Sequence, residues 1–317
     1  MNLSLKDKIY GALFGAAIGD ALGLGTEFMT RGEIAVRYPD GLRRYDDIVR
    51  DAHRSLWQRG DWTNDTELVI HLAESLHACD GPDIKDFAAR LVEWVKTDPR
   101  DLISSLRHVT TTPGYADDPQ RTSLRVWSQT RGLEPSNETL GYSALIGLCD
   151  DDVVENATGF SLATNGCSLT TAAAAAVALA ANTLMWREED PDCEELCRAC
   201  ARIDEQSVTY LRTARDGSLE EFEVDDEDTC WSAAKSMGAA LWAIWHCQSP
   251  TEILLTLVDA GGDADTNASL GLLLAGVKYG FDALPKNGVE KLVQREKMES
   301  VAARLTETFE KRFNNRD

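Results

Sequence analysis

The sequence predicts an all-α protein, and three observations support that fold class. Apolar residues recur at helical spacing along most of the 317-residue chain. Alternating segments of the kind that form strands are almost absent, although short strands near residues 40–50 remain an alternative. The chain is 43% hydrophobic, which is enough apolar material for a substantial core. Because no repeat or low-complexity linker divides it, we expect one domain over residues 1–317.

The first predicted helix, at residues 5–22, is distinguished by glycine at positions 11, 15, 19 and 23. Glycines four residues apart share one helix face, so a second helix can approach that face closely. Asp83 is suited to cap a predicted helix that passes through Phe87 and Trp94. Further helices are predicted at residues 66–79, 101–108, 152–160, 170–186, 192–213, 229–247, 250–259, 267–280 and 287–313. Loops are predicted at residues 113–119, 135–137 and 220–228, the last without a packing stripe.

Charge and composition exclude several classes of partner. The net charge is −21, and no basic stripe is available to neutralise phosphates, so we expect no nucleic-acid partner. The apolar runs at residues 9–19 and 170–185 are too short to cross a membrane. The eight cysteines are scattered and no secretory leader is evident, which favours reduced thiols in a cytoplasmic protein. The sequence does not indicate an oligomeric state.

Two oxygen-rich segments far apart in the chain are the main functional signal. Thr63-Asn64-Asp65-Thr66 and Asp263-Ala264-Asp265-Thr266 each stand directly before an apolar helical pattern. Helix capping is the alternative interpretation, with Asn64 and Glu67 forming a capping box and Asp265 capping the later helix. One helix start needs only one cap, however, and both segments hold more oxygen atoms than capping requires.

Hard cations such as Mg²⁺ and Mn²⁺ take about six oxygen ligands from carboxylates, hydroxyls, amide carbonyls and water. The two segments together would supply much of one or two such shells. Glu27, just after the glycine-rich helix, is a candidate additional carboxylate. We therefore predict that the two segments converge on divalent metal in an active site.

Several motifs, in this order, make the chain resemble the ADP-ribosylglycohydrolase family. The matching residues are Gly11 to Gly23 (GALFGAAIGDALG), Glu27-Phe28, Trp62 to Thr66, Leu72 to Leu76, Ala239 to Ala243, Gly261 to Ala268, Gly276, Tyr279-Gly280 and Ala283 to Pro285. The resemblance covers about residues 8–305, and it is weakest in the middle of the chain.

The resemblance implies an orthogonal multi-helix fold with a central cleft that holds two divalent cations, Mg²⁺ or Mn²⁺. It implies metal ligands at Glu27, Thr63, Asn64, Asp65, Asp263, Asp265 and Thr266. The implied reaction is glycosidic hydrolysis that removes ADP-ribose from a modified protein or small molecule. Glu27 or Asp65 would then act as catalytic base or position the attacking water.

The chain departs from the family pattern at the first metal segment and on the substrate side. Asn64 stands where an aspartate is usual, which removes one formal charge. The substrate-binding positions implied by the resemblance are Asn137, Thr139, Tyr142 and Asn165, of which the last three replace a serine, an arginine and a histidine. Glu138 would repel a pyrophosphate unless it points to solvent. The alternative to a hydrolase is therefore a weakened or inactive relative that binds ADP-ribose or a related nucleotide.

Other patterns carry less functional weight. Cys193, Cys197 and Cys200 match an iron–sulfur spacing, but the same spacing is one face of a helix, which is the interpretation we prefer. The five histidines form no zinc-binding pattern. Trp62 and Tyr142 are candidates for stacking on an adenine or ribose, although a structural role is the simpler explanation.

Overall fold

A computed structural model describes residues 3–130, 136–149 and 152–314 of the chain. These residues form 16 α-helices and no β-strand, so the predicted fold class is confirmed. The helices are α1 (Leu5–Gly23), α2 (Arg31–Arg37), α3 (Asn64–Ala78), α4 (Ile84–Val95), α5 (Ser104–Thr111), α6 (Pro119–Gln129), α7 (Leu140–Ile146), α8 (Val153–Thr164), α9 (Ser168–Asn182), α10 (Cys193–Cys200), α11 (Ser207–Asp216), α12 (Ala233–His246), α13 (Pro250–Ala260), α14 (Ala264–Tyr279), α15 (Lys286–Lys291) and α16 (Arg295–Asn314).

Helices α1 and α14 lie antiparallel with their backbones in direct contact. A Cβ added to Gly15 would lie 2.2 Å from the carbonyl oxygen of Leu272, and one added to Gly19 would lie 2.1 Å from that of Ala268. The glycine face predicted from the sequence is therefore the contact face. The C-terminal end of α1 consequently meets the N-terminal end of α14, which brings the chain after α1 next to the second oxygen-rich segment.

Helix α9 is buried along most of its length and continues into a π-helical turn at Thr183–Arg187. In the described part of the chain, residues 168–187 are the one helical stretch long and apolar enough to cross a membrane. Its most apolar window is 78% buried within the protein, which is the environment of a core helix. Length and composition alone are weak evidence for a membrane span.

Several helices of the structure differ from those predicted from the sequence. Helix α6 begins at Pro119 with Asp118 as its cap, although these residues suggested a loop. Short helices α2 and α7 were not predicted. The stretches predicted as single helices at 192–213 and 287–313 are each broken in two, giving α10 with α11 and α15 with α16.

The segments expected to be irregular also differ in part. A 3₁₀ turn at Tyr45–Asp47 lies where strands were an alternative. The acidic segment 220–228 overlaps a 3₁₀ turn at Leu219–Phe222, and it does pack, because Phe222 and Val224 are buried. In the loop predicted at 135–137, residue 135 lies outside the described residues.

Candidate metal centre

The carboxylate of Asp20 joins α1 to the start of α3, which carries the first oxygen-rich segment. Its buried carboxylate accepts hydrogen bonds from the backbone N–H of Thr63 at 2.9 Å and from the N–H and hydroxyl of Thr66 at 3.0 and 2.6 Å. Burial raises the pKa of Asp20 to about 6, and these hydrogen bonds partly oppose the shift. Asp20 was not predicted as a site residue, although a carboxylate inside an otherwise apolar, glycine-rich helix was a signal that could have found it.

The start of α3 is not capped in the way the sequence suggested. Thr63 is the cap residue, and its hydroxyl accepts from the N–H of Asp65, while Asn64 is already the first helical residue. Asp265 likewise lies inside α14, and Asp263 stands at the cap position without a capping side-chain bond. Because capping does not occupy them, Asn64, Asp65, Asp263 and Asp265 present their side chains to a cleft.

Two backbone hydrogen bonds fix the chain around Glu27 against the start of α14. The N–H of Phe28 donates to the carbonyl of Gly262 at 2.7 Å, and the N–H of Gly262 donates to the carbonyl of Met29 at 2.9 Å. Gly262 has a φ of +66°, and a Cβ there would collide with the carbonyl oxygen of Val224. Glycine is therefore required at this close approach.

The structure brings both oxygen-rich segments together. The hydroxyl of Thr266 donates to the carboxylate of Asp65 at 2.7 Å, which joins the segments directly. Carboxylate oxygens of Glu27, Asp263 and Asp265 lie within 4.8 Å of one another. These distances suit several ligands of one or two cations rather than scattered surface charges.

The cleft above these groups has a volume of about 320 Å³. Five carboxylates line it, and no lysine or arginine is among the lining residues. The lining consists of Glu27, Phe28, Asn64, Asp65, Asp101, Ile103, Ser104, Ser105, Ser136, Asn137, Trp231, Asp263, Asp265 and Thr266. Thr63, a predicted ligand, is buried and is not among the lining residues.

Burial without a counter-charge strongly disfavours ionisation in this cleft. It raises the pKa of Glu27 to about 7 and raises those of Asp65 and Asp265 well above the ordinary range, with neighbouring carboxylates adding to the last two shifts. The pKa of Asp263 is also raised by burial, against a hydrogen bond from Asn137. A hard divalent cation would supply the missing positive charge, so these residues fit such an ion.

We predict that divalent-cation binding strengthens as pH rises. Glu27, with its pKa raised from 4.5 to about 7, stays protonated at pH values where an ordinary carboxyl is ionised. Its contribution to the stability of the metal-free fold is present below pH 4.5 and is lost as pH rises through about 7. Cations and protons therefore compete for the same oxygens. Thermal unfolding with and without Mn²⁺ should show a larger stabilisation at pH 8 than at pH 5.5; equal stabilisation would contradict this.

The structure places one of the four predicted substrate positions, Asn137, in the lining of the cleft and the other three outside it. Asn137 lines the cleft, and its amide donates to Asp263 at 2.6 Å. Tyr142 is wholly buried, shares a 2.6 Å hydrogen bond with the hydroxyl of Thr164 and packs its ring near Phe87. Tyr142 is therefore a core residue, because α7 turns it away from the cleft.

The other two predicted substrate residues also lie outside the cleft lining. Thr139 is completely buried and does not line the cleft. The side chain of Asn165 accepts from the N–H of Cys167 at 3.0 Å, just before α9. Trp62 is fully buried, so it is not available for stacking. Glu138 does not point to solvent: it is buried, accepts from Ser136, and burial raises its pKa to about 7.

Residues that the sequence did not single out complete the site. Phe28 is 55% exposed and lines the cleft together with Trp231. His53 contacts Glu27 through its Nε2 atom at 2.7 Å, and this hydrogen bond raises the pKa of the imidazole. Asp101 adds a further carboxylate near both. Phe28 belongs to the family motif but was given no role from the sequence, whereas His53 and Asp101 had no periodic or motif signal.

The three closely spaced cysteines lie on one helix, as the preferred interpretation of their spacing predicts. Cys193, Cys197 and Cys200 lie on α10 as free thiols, with the last two buried. Burial raises the pKa of Cys193 and of Cys200 to about 12, which disfavours the thiolate form that binds metal.

The described residues thus define an all-α protein with an acidic cleft, suited to divalent cations, where its central helices meet. The family model for ADP-ribosylglycohydrolase matches residues 1–315. The chain therefore belongs to the ADP-ribosylglycohydrolase family, which confirms the resemblance found in its motifs.

Individual relatives agree with this assignment along nearly the whole chain. The ADP-ribosylarginine hydrolase Tri1 of Serratia proteamaculans is 26% identical over 327 residues, covering 94% of this chain and 79% of that protein. The ADP-ribosyl-[dinitrogen reductase] glycohydrolase of Rhodospirillum rubrum is 28% identical over 316 residues, covering 95% and 97%. A solved structure described as an ADP-ribosylglycohydrolase-related protein complex superposes with a TM-score of 0.72 at 26% identity, covering 96% of this chain and 98% of that one.

Proposed function

We propose that the protein hydrolyses the glycosidic bond between ADP-ribose and a protein side chain, with the help of Mg²⁺ or Mn²⁺. The observation that carries the proposal is the convergence of buried carboxylates from both oxygen-rich segments on a cleft that no lysine or arginine lines. The names of two relatives add support, since one is an ADP-ribosylarginine hydrolase and the other acts on dinitrogen reductase. A cytoplasmic location is part of this proposal.

The cations would be held by oxygens from three parts of the chain. The proposed ligands are Glu27 after α1, Thr63, Asn64 and Asp65 at the start of α3, and Asp263, Asp265 and Thr266 at the start of α14. These are hard oxygen donors, which favours Mg²⁺ or Mn²⁺ over softer ions. Bound there, a divalent cation would orient ribose hydroxyls and lower the pKa of water.

The protein's own residues would perform three tasks. Glu27, whose pKa is raised to about 7, can accept a proton from attacking water near neutral pH. Asp65, held by the hydroxyl of Thr266, is the alternative base and can fix the position of that water. The carboxylate-rich wall favours the positive charge that develops at the ribose C1 atom as the bond breaks.

A binder without catalytic activity is less well supported by the same geometry. Burying several carboxylates together costs stability, and binding ADP-ribose, which is itself an anion, would not require them. We therefore place the hydrolase ahead of the inactive relative.

The test is a hydrolysis assay on two matched peptides, one ADP-ribosylated on arginine and one on serine. We expect release of ADP-ribose from one of them in the presence of Mg²⁺ or Mn²⁺, loss of activity with a chelator and recovery when the cation is restored. Tight ADP-ribose binding without release from either peptide would overturn the proposal in favour of a binder.

Asn64→Asp is expected to strengthen cation binding, because it adds a carboxylate to a cleft that already lacks positive charge. We predict a gain in Mn²⁺ affinity on the order of tenfold, since ligand charge tunes the affinity of such sites. The metal-free variant should melt at a lower temperature because one more like charge is buried. Calorimetric titration measures the affinity, with Asn287→Asp on α15 as a control outside the cleft. An unchanged affinity would remove Asn64 from the ligand set.

A further inference from the structure

One side-chain contact of Glu27 is not explained by its role as a ligand. Oxygen Oε2 of Glu27 lies 2.7 Å from Nε2 of His53, a hydrogen-bonding distance. Glu27 is 2% exposed, so this contact is made inside the protein and not at its surface.

The ring of His53 is fixed in place by its neighbours. The ring centroid of Trp57 lies 5.2 Å away in an edge-on arrangement, and that of Phe28 lies 5.7 Å away. These two aromatic side chains restrict the rotation of the imidazole. The Nε2 atom is consequently directed at Glu27.

The adjacent residue anchors the same turn to the backbone around Glu27. The guanidinium of Arg54 donates to the carbonyl of Gly25 at 3.0 Å and to the carbonyl of Glu27, and it pairs with Asp51 at 2.6 Å. Arg54 is itself buried. The turn that carries His53 and the segment that carries Glu27 thus form one rigid unit.

We propose that His53 is a positioning residue that holds Glu27 in the orientation required to bind the divalent cation. The inference rests on the proposed function of the cleft. A glutamate side chain has three rotatable bonds, and fixing it costs conformational entropy. The bond to Nε2 fixes one carboxylate oxygen before any ion arrives, which leaves the carboxylate directed toward Asp263 and Asp265, within 4.8 Å.

Hydrogen-bond partners of metal ligands act in this way in other sites, where their loss lowers affinity about 10–100-fold. His53 differs from the usual arrangement because the histidine supports a carboxylate ligand and not the reverse. A carboxylate oxygen of Asp101 also lies within 4.8 Å of the ligand atoms of Glu27 and His53.

Two substitutions separate the hydrogen bond from the packing of the ring. His53→Phe keeps an aromatic ring between Phe28 and Trp57 but has no donor. His53→Gln loses the ring but keeps an amide nitrogen that can donate to Glu27. We expect His53→Phe to lower Mn²⁺ affinity about tenfold or more in calorimetric titration, and His53→Gln to recover most of that loss.

A spectroscopic measurement distinguishes positioning from direct coordination. Electron spin echo spectra of bound Mn²⁺ in protein labelled with ¹⁵N-histidine should show no directly coordinated histidine nitrogen. A coupling of the directly bound kind that disappears in His53→Gln would overturn the proposal, since His53 would then be a ligand. Equal Mn²⁺ affinity in His53→Phe and the unaltered protein would overturn it as well.

His246→Gln provides a matched control, because His246 also contacts an aromatic ring, that of Trp242 at 4.9 Å, but lies outside the cleft lining. Its Mn²⁺ affinity should equal that of the unaltered protein. The outcomes also separate this inference from the proposed function. If the unaltered protein hydrolyses its substrate with Mn²⁺ and His53→Phe binds Mn²⁺ equally well, only the inference fails. If the unaltered protein binds no Mn²⁺, both fail.

Discussion

Asp265→Asn is expected to lower kcat/KM about 10³-fold and at the same time to stabilise the metal-free protein. Asp265 is buried among Glu27, Asp263 and Asp65, all of which raise its pKa after burial itself. Its removal takes away one of several like charges, so we expect the free energy of unfolding without metal to increase by about 1 kcal/mol. Its removal also deletes a proposed ligand, so Mn²⁺ should no longer raise the melting temperature.

Opposite changes in stability and activity are the diagnostic result, because a merely damaged fold would lose both. Asp259→Asn is the matched control: Asp259 lies near the end of α13, and its carboxylate pairs with Arg43 at 2.9 Å at the surface. That variant should keep its activity and its response to Mn²⁺. Thermal unfolding and steady-state kinetics on both variants decide the matter, and an Asp265→Asn protein that is active or destabilised would refute the assignment.

Gly15→Ala is expected to have the largest effect on stability. The added methyl group would lie 2.2 Å from the carbonyl oxygen of Leu272 and 2.8 Å from its carbonyl carbon. Both atoms belong to the backbone of α14, so no side chain can move aside and the helices must separate. We expect a loss of about 3 kcal/mol in the free energy of unfolding, and weaker cation binding because α1 and α14 carry the cleft at their ends.

Gly32→Ala is the control for the helical propensity that alanine adds. Gly32 is an exposed residue of α2, and its added methyl group would meet only the hydroxyl of Thr30, at 3.9 Å. This variant should be about 0.5 kcal/mol more stable, since alanine restricts the unfolded chain. Chemical denaturation of both variants gives the comparison, and similar stabilities for Gly15→Ala and the unaltered protein would contradict the close contact of the two helices.

Parts of the fold could be predicted where a regular spacing of residues or a capping residue determines one helix locally. The glycine spacing of α1 indicated a close helix contact, and Asp83 does cap α4, accepting from the N–H groups of Lys85 and Asp86. Helix α6 was missed because a proline at its first turn and an aspartate before it also begin loops. The choice between these outcomes depends on tertiary packing, which the local sequence does not contain.

The candidate site was predictable in composition but not in arrangement. The excess of oxygen atoms at two helix starts is visible in the sequence. The distance between the two oxygen-rich segments, in contrast, depends on how α1 packs against α14. Tyr142 was expected at the substrate because its position in the family pattern suggested it, yet the packing of α7 buries it near Phe87. His53 reaches Glu27 only through a turn held by Arg54, and no local spacing reveals such a contact.

The close pairing of α1 with α14 also has a kinetic consequence. These helices are widely separated in sequence, and contacts of that kind slow folding because a long loop must close before they form. Almost every residue of α1 after its first turn is buried in the folded protein, so α1 exposes apolar surface until α14 has been synthesised. We therefore expect the core and the cleft to form together, late in folding, and partly made chains to depend on chaperones to remain unaggregated.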